Sequence, residues 1–105
     1  MNIIQQVLEV ITKEYYENLN TLVMNQENVS DLILKTDKML KNVGTMLLKD
    51  SLEEIDQCVR KSNERKANWY IERRYDVKTL STIIGDVTYE RTYYMNKHTG
   101  EYAYL

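Results

Sequence analysis

Phenylalanine and proline are missing from this 105-residue chain, glycine occurs three times, and cysteine, histidine and tryptophan occur once each. The single Cys58 excludes an internal disulfide and any metal site built on clustered cysteines. It favours a reducing, cytoplasmic setting, and its place in an apolar helical series implies a buried, inert thiol. The single His98 falls in the turn-like NKHTG, beside Lys97 and Thr99. Without His or Cys partners at ligating spacing, it reads as a solvated loop residue. Gly44, Gly85 and Gly100 are too dispersed to form a phosphate-binding loop. Long apolar runs are also absent. Glu9 and Glu14 interrupt MNIIQQVLEVITKEYYENL, which has neither a basic start nor a small-residue cleavage site, so no signal peptide or spanning helix fits. Glu53, Glu54 and Asp56 lack further ligands and read as a solvated helix face. With no coupled acid, base and nucleophile, the chain by itself is expected to be no enzyme, with no cofactor, metal or small-molecule substrate.

The residues that are present describe a folded domain. A content of 43% hydrophobic and 29% charged residues suits a water-soluble fold of single-domain size. Nine tyrosines carry most of the aromatic content, and their polar tips suit half-wet surfaces as well as cores. Charge is divided along the chain. Residues 1–57 hold five Lys and ten Asp or Glu, a net −5, whereas residues 58–105 hold nine Lys or Arg and six acids, a net +3. All five arginines lie in the second part, so the two parts face different partners.

Apolar spacing predicts helices first. Ile4, Val7, Leu8, Ile11, Tyr15, Leu19, Leu22 and Val23 recur at intervals of three and four. Asn25 to Asn28 is a polar break, after which Asn28 or Ser30 can cap a second helix. That helix carries Leu32, Ile33, Met39, Leu40, Val43, Met46 and Leu47, then Leu52, Ile55 and Val59. Gly44 admits a bend or a close helix contact, and Ser51 offers a second cap, so the run reads either as one long helix or as two divided near residues 44–51. Beyond Lys66 the period becomes two. Trp69, Ile71, Arg73, Tyr75 and Val77 share one face, and Val87, Tyr89, Arg91, Tyr93 and Met95 share another. KTLSTII reads as a further strand, Gly85-Asp86 as a two-residue hairpin turn, and EYAYL as a last strand. The expected fold is α+β: two to three long helices, then an antiparallel meander of three to four strands. Residues 1–66 form a helical association region and residues 67–105 the meander, together one domain.

The richest constellation is basic and aromatic. Arg60, Lys61, Arg65 and Lys66 end the helical part, where the helix dipole also favours cations. Arg73, Arg74, Lys78, Arg91 and Lys97 follow on the strands and turns, interleaved with Trp69, Tyr75, Tyr89, Tyr93 and Tyr94. Arginine offers bidentate contacts to phosphate or guanine, and tyrosine stacks or donates a hydrogen bond. Arg73 and Arg91 share faces with apolar residues. Either they stack on aromatics and pair with an acid, or that face is a binding surface.

The segment ERKANWYIERRYDVKTLSTIIGDVTYERTYYMNKHTGEYAYL resembles the N-terminal region of ISLre-type insertion-sequence transposases, a family also carried under an uncharacterised-protein label. The likeness lies in Arg65-Lys66 before Trp69, Arg73-Arg74, Thr79-Leu80, and Thr82 with Gly85-Asp86-Val87. It continues through Arg91-Thr92-Tyr93-Tyr94 to Thr99, Gly100, Glu101, Tyr102, Ala103, Tyr104 and Leu105. It covers residues 60–105, and the helical part only in general character. The resemblance implies an N-terminal transposase module that recognises double-stranded DNA at element ends and self-associates as a homo-oligomer. In such transposases a catalytic domain with metal-binding acids follows, so the chain is expected to be a fragment that catalyses no strand transfer. The competing reading is a protein-interaction module that packs on that absent domain and binds no nucleic acid.

Overall fold

The computed structural model describes residues 2–26 and 28–105 as three helices followed by three strands, an α+β arrangement. Helix α1 (Ile3–Met24) opens with a capping box. The Asn2 side chain accepts the Gln5 N–H at 2.9 Å, and the Gln5 side chain accepts the Asn2 N–H at 3.2 Å. The helix closes at Asn25, after which Gln26 turns into the left-handed region at φ 54°. Of the expected polar break, Glu27 lies outside the described residues. Helix α2 (Val29–Lys61) then starts under Asn28, whose side chain accepts the Asp31 N–H at 3.0 Å, while the Asp31 carboxylate accepts the Asn28 N–H at 3.2 Å. Asn28, rather than Ser30, is therefore the cap.

Helix α2 is not divided. Its 33 residues run through Gly44 and Ser51 without interruption. Ser62 ends it and caps the short α3 (Asn63–Asn68) by accepting the Arg65 N–H at 3.2 Å.

Two compact units divide the chain: Met1–Leu47 with Thr82–Gly85, and Leu48–Ser81 with Asp86–Leu105. In the first, α1 and the leading part of α2 make a helical hairpin across a short connection. Val7 and Val43, each 8% exposed, are its buried apolar residues among those described. Gly44 allows the close contact its position suggested. A Cβ there would stand 2.7 Å from the Ile84 Cδ1, so the bare backbone is what lets Ile84 lie against α2.

The sheet runs in the order β1-β2-β3, from β1 (Trp69–Thr82), β2 (Gly85–Asn96) and β3 (Tyr102–Tyr104). Three points differ from the sequence pattern. The runs expected as two strands, NWYIERRYDV and KTLSTII, make one 14-residue strand. The hairpin turn is Ile83-Ile84, not Gly85-Asp86. The Thr82 hydroxyl donates to the Gly85 carbonyl at 2.6 Å and accepts the Ile84 N–H at 3.3 Å, and Gly85 begins β2 at φ 129°. Finally, Tyr75 sits inside β1 at φ 66°, which breaks the two-residue alternation. Beyond it Asp76, Lys78, Leu80 and Thr82 are the half-buried positions and Val77 is exposed, so Trp69 through Val77 do not form one continuous face. Strand β2 likewise buries both sides in succession, Val87 first and then Thr92 and Tyr94. Tyr94, Val87 and Thr92 are the centre of the second unit.

Candidate interaction surface of the sheet

The surface is organised by two carboxylates that anchor β2 to α2. Strand β3 pairs only with Tyr93–Met95, which leaves the earlier part of β2 with a bare edge. Asn96 donates its N–H to the Glu101 carbonyl at 2.7 Å on the β3 side. The strand repeat aims the N–H groups of Thr92 and Glu90 the same way. Helix α2 meets both. Asp56 accepts the Thr92 N–H at 2.9 Å and the Thr92 hydroxyl at 2.8 Å, and Glu53 accepts the Glu90 N–H at 2.9 Å. Glu53 and Asp56 lie three apart, on one helix face. Their carboxylates satisfy donors that would otherwise template a further strand.

This corrects the reading of these acids as a solvated face. Asp56 is 14% exposed and also holds the Arg60 guanidinium, 17% exposed, at 3.3 Å. Burial alone would raise the Glu53 carboxyl. The Lys49 hydrogen bond at 2.9 Å and the Glu90 N–H outweigh it and hold the group below its ordinary value.

On the sheet itself the arginines are interleaved with rings. Arg73 grips Asp76 through Nε and NH2, the latter at 3.0 Å, and lies 4.5 Å over the Tyr93 ring. The Tyr104 hydroxyl donates to the same Asp76 at 2.9 Å. The Arg73 hydrogen bond, followed by that of Tyr104, holds the Asp76 carboxyl below the ordinary aspartate range, and Asp76 in turn raises Arg73. Arg91 lies 3.5 Å over the Tyr104 ring, and Tyr93 stacks on Tyr102 and tilts against Tyr104 at 4.7 Å. The first of the two alternatives for Arg73 is thus the geometry observed: it stacks on a ring and pairs with an acid. Arg91 stacks but has no ion pair among the described residues, and its Nε is buried without a hydrogen-bond partner.

The remaining sequence candidates separate into held and open groups. Arg65 donates through Nε to the Arg60 carbonyl at 2.6 Å, closing the end of α2. Lys97 donates to the Lys66 carbonyl at 2.6 Å and sits 4.7 Å over Tyr70. Arg74 is exposed, with its guanidinium 4.7 Å over the Tyr75 ring, while Lys61 and Lys66 are exposed and Lys78 is half-buried. Trp69 and Tyr89 are half-buried. Tyr94 has no exposed surface, so it is core rather than a contact ring. Burial lifts its phenol above the ordinary range. The Thr92 hydroxyl opposes that shift, though not in full hydrogen-bonding geometry. Cys58 departs from expectation too. It is exposed, beside Trp69 and Val59 in an apolar cleft, because α2 turns that position outward. His98 is an exposed turn residue, its ring 3.2 Å from the Asn68 side chain. Among the described residues no His, Cys, Asp and Glu group has the arrangement to hold a metal ion. No described helix is long and apolar enough to cross a membrane.

The most open surface lies away from the sheet. Along α1, Ile4, Leu8, Tyr15, Leu19 and Val23 are 40–68% exposed. Their spacing of four and seven puts them on one side of the helix, adjacent to the inward stripe that carries Val7. Along α2, Val29, Ile33 and Leu40 repeat the pattern, at 59–68% exposure.

Compared with known proteins, residues 22–105 match the model of an uncharacterised protein family, UPF0236. The chain belongs to this family. A UPF0236 protein of Caldanaerobacter subterraneus subsp. tengcongensis is 33% identical over 103 residues, 98% of this chain and 22% of the relative. A second from the same organism is 34% identical over 94 residues, 90% of this chain and 20% of the relative. The chain therefore spans about a fifth of the length of the curated relatives it matches. No solved structure matches it.

Proposed function

We propose that the chain is the N-terminal self-association and DNA-contact module of an ISLre-type insertion-sequence transposase. Its helices assemble copies, and its sheet contributes to recognition of element ends. It catalyses no strand transfer itself. The observation that carries this reading is the apolar stripe of α1. Five large side chains about half exposed on one helix side form a contiguous apolar stripe of the kind that marks an interaction site. A seam at heptad-like spacing is what a helical partner covers. The basic second half, with Arg74, Lys61 and Lys66 exposed, supports the DNA role, and the single cysteine supports a cytoplasmic setting.

A specific observation favours the second reading, a protein-interaction module without nucleic acid. Arg60 and Arg73 already pair with Asp56 and Asp76, which lowers the charge available to a duplex. Fluorescence anisotropy separates the two readings, with the element's terminal repeat and a scrambled duplex compared at two salt concentrations. DNA binding predicts an affinity that falls with a log–log slope of about −0.9 for each phosphate contacted. Absent or salt-insensitive binding leaves the protein-interaction reading. In either case light scattering across a concentration series should show association.

A further inference from the structure

Between α2 and the sheet, within the second unit, is a cleft of about 150 Å³. A water's share of liquid volume is about 30 Å³, so the cleft has room for a phosphate-sized group. Arg60, Arg74 and Arg91 line it, with Thr92 and Tyr75. Two of its acids, Glu53 and Asp56, are committed to the β2 N–H groups, to Lys49 and to Arg60. The Glu90 carboxylate has no partner among the described residues and is exposed.

Arg91 and Arg74 are in the opposite condition to those acids. The Arg91 guanidinium lies 3.5 Å over the Tyr104 ring, feels the charge of Asp76 without forming an ion pair among the described residues, and keeps its Nε buried with no acceptor there. Buried donors in folded proteins are nearly always satisfied, but this Nε has no accessible surface, so it is other atoms of Arg91 that line the cleft. Arg74 is likewise without an ion pair among the described residues, and its guanidinium lies 4.7 Å over the ring of Tyr75. That tyrosine holds φ 66°, a conformation that costs a non-glycine residue of order 1–3 kcal/mol and collects at ligand sites. Strain in the strand thus coincides with the cleft that Tyr75 lines.

We infer that this cleft binds a phosphate oxyanion, held by the guanidinium groups of Arg91 and Arg74 that line it. Guanidinium forks match phosphate geometry, and the stacking rings keep both forks oriented without competing for their N–H donors. Under the proposed function the phosphate belongs to a DNA backbone, so the inference rests on that reading for its source, while the site itself does not.

The test is a titration of the isotope-labelled full chain, followed by the Arg91 Nε–H and the Thr92 amide NMR signals. Inorganic phosphate and a short duplex are the two ligands, with chloride at equal ionic strength as control. Saturable shifts with phosphate and not with chloride are expected. Arg74→Gln, an exposed change, should weaken phosphate binding about tenfold. Glu90→Gln should strengthen it several-fold, an opposite sign that general destabilisation does not produce. Shifts with both ligands support the site with DNA as the source. Shifts with phosphate alone support the site as a free-phosphate site and count against the DNA role. DNA binding that leaves these signals unmoved, or no saturable shift with either ligand, overturns the inference.

Discussion

Replacing Asp56 by alanine removes one acceptor from three donors at once. The Thr92 N–H at 2.9 Å, the Thr92 hydroxyl at 2.8 Å and the Arg60 guanidinium at 3.3 Å all end on this carboxylate. Thr92 is 2% exposed, so water cannot take the place of the lost oxygen without opening the contact. Hydrogen bonds to a charged partner contribute about 1.5–3 kcal/mol each, and breaking a buried pair by truncating one member costs about 3–5 kcal/mol. These figures describe overlapping interactions and do not add. Asp56→Ala should therefore lose about 3–5 kcal/mol, a large share of the roughly 5–15 kcal/mol typical of domains. Asp56→Asn keeps an oxygen for the Thr92 N–H and an amide for its hydroxyl, but gives up the charge facing Arg60, so it should lose about half as much. The control is Glu54→Ala at an exposed position, expected within about 0.5 kcal/mol of the parent. Urea unfolding followed by circular dichroism and by the Trp69 fluorescence reads all three. An Asp56→Ala variant within about 0.5 kcal/mol of the parent would refute the anchoring of β2 by α2.

Glu53 gives a pH signature. Its folded-state value is depressed, so its contribution is complete above the ordinary glutamate value and is lost as pH falls through the lower folded value. Urea midpoints between mildly acidic and strongly acidic pH should fall in the parent, and less steeply in Glu53→Gln; equal slopes would contradict the assignment. Gly44→Ala gains about 1 kcal/mol of helix propensity but drives a Cβ into Ile84 Cδ1. The gain should therefore emerge only when Ile84→Val removes that methyl, and thermal melts of the double-mutant cycle showing no coupling would contradict the contact. Tyr75→Gly relieves the positive φ at an exposed residue and should stabilise by up to about 1 kcal/mol. A loss of stability in the same melts would mean that the ring contributes more than the backbone strain costs.

Helices were the most legible part of the sequence, because their caps and apolar period are local. Asn28 opens α2 and the α1 stripe is where the spacing put it, since both signals lie within a few residues of chain. Whether α2 divides was not legible locally, because Gly44 and Ser51 look like breaks, whereas Gly44 makes room for Ile84, 40 residues away. The strand faces failed at Tyr75. Nothing in a tyrosine announces a positive φ, and one such residue reverses every face beyond it. At the candidate surface, the basic and aromatic residues were visible by type, but their pairing was not. Asp76 lies three residues from Arg73 and was a findable partner, whereas Tyr104 and Asp56 reach theirs across 28 and 36 residues. The acid pair Glu53 and Asp56 carried one signal, a spacing of three on one helix face, and nothing local indicated that strand N–H groups would meet them.

The central claim is association through the exposed stripe of α1, and sedimentation equilibrium tests it most directly. The parent chain is run from low to high micromolar concentration beside the double variant Leu8→Asp, Leu19→Asp, with circular dichroism to establish that the variant keeps its helices. Both leucines are exposed, at 56% and 40%, so the changes leave Val7 and the buried stripe in place. The account predicts a parent whose average mass rises to that of a dimer or larger oligomer, and a folded variant that stays monomeric throughout. A parent that is monomeric at high micromolar concentration, or a variant that associates equally well, would contradict it.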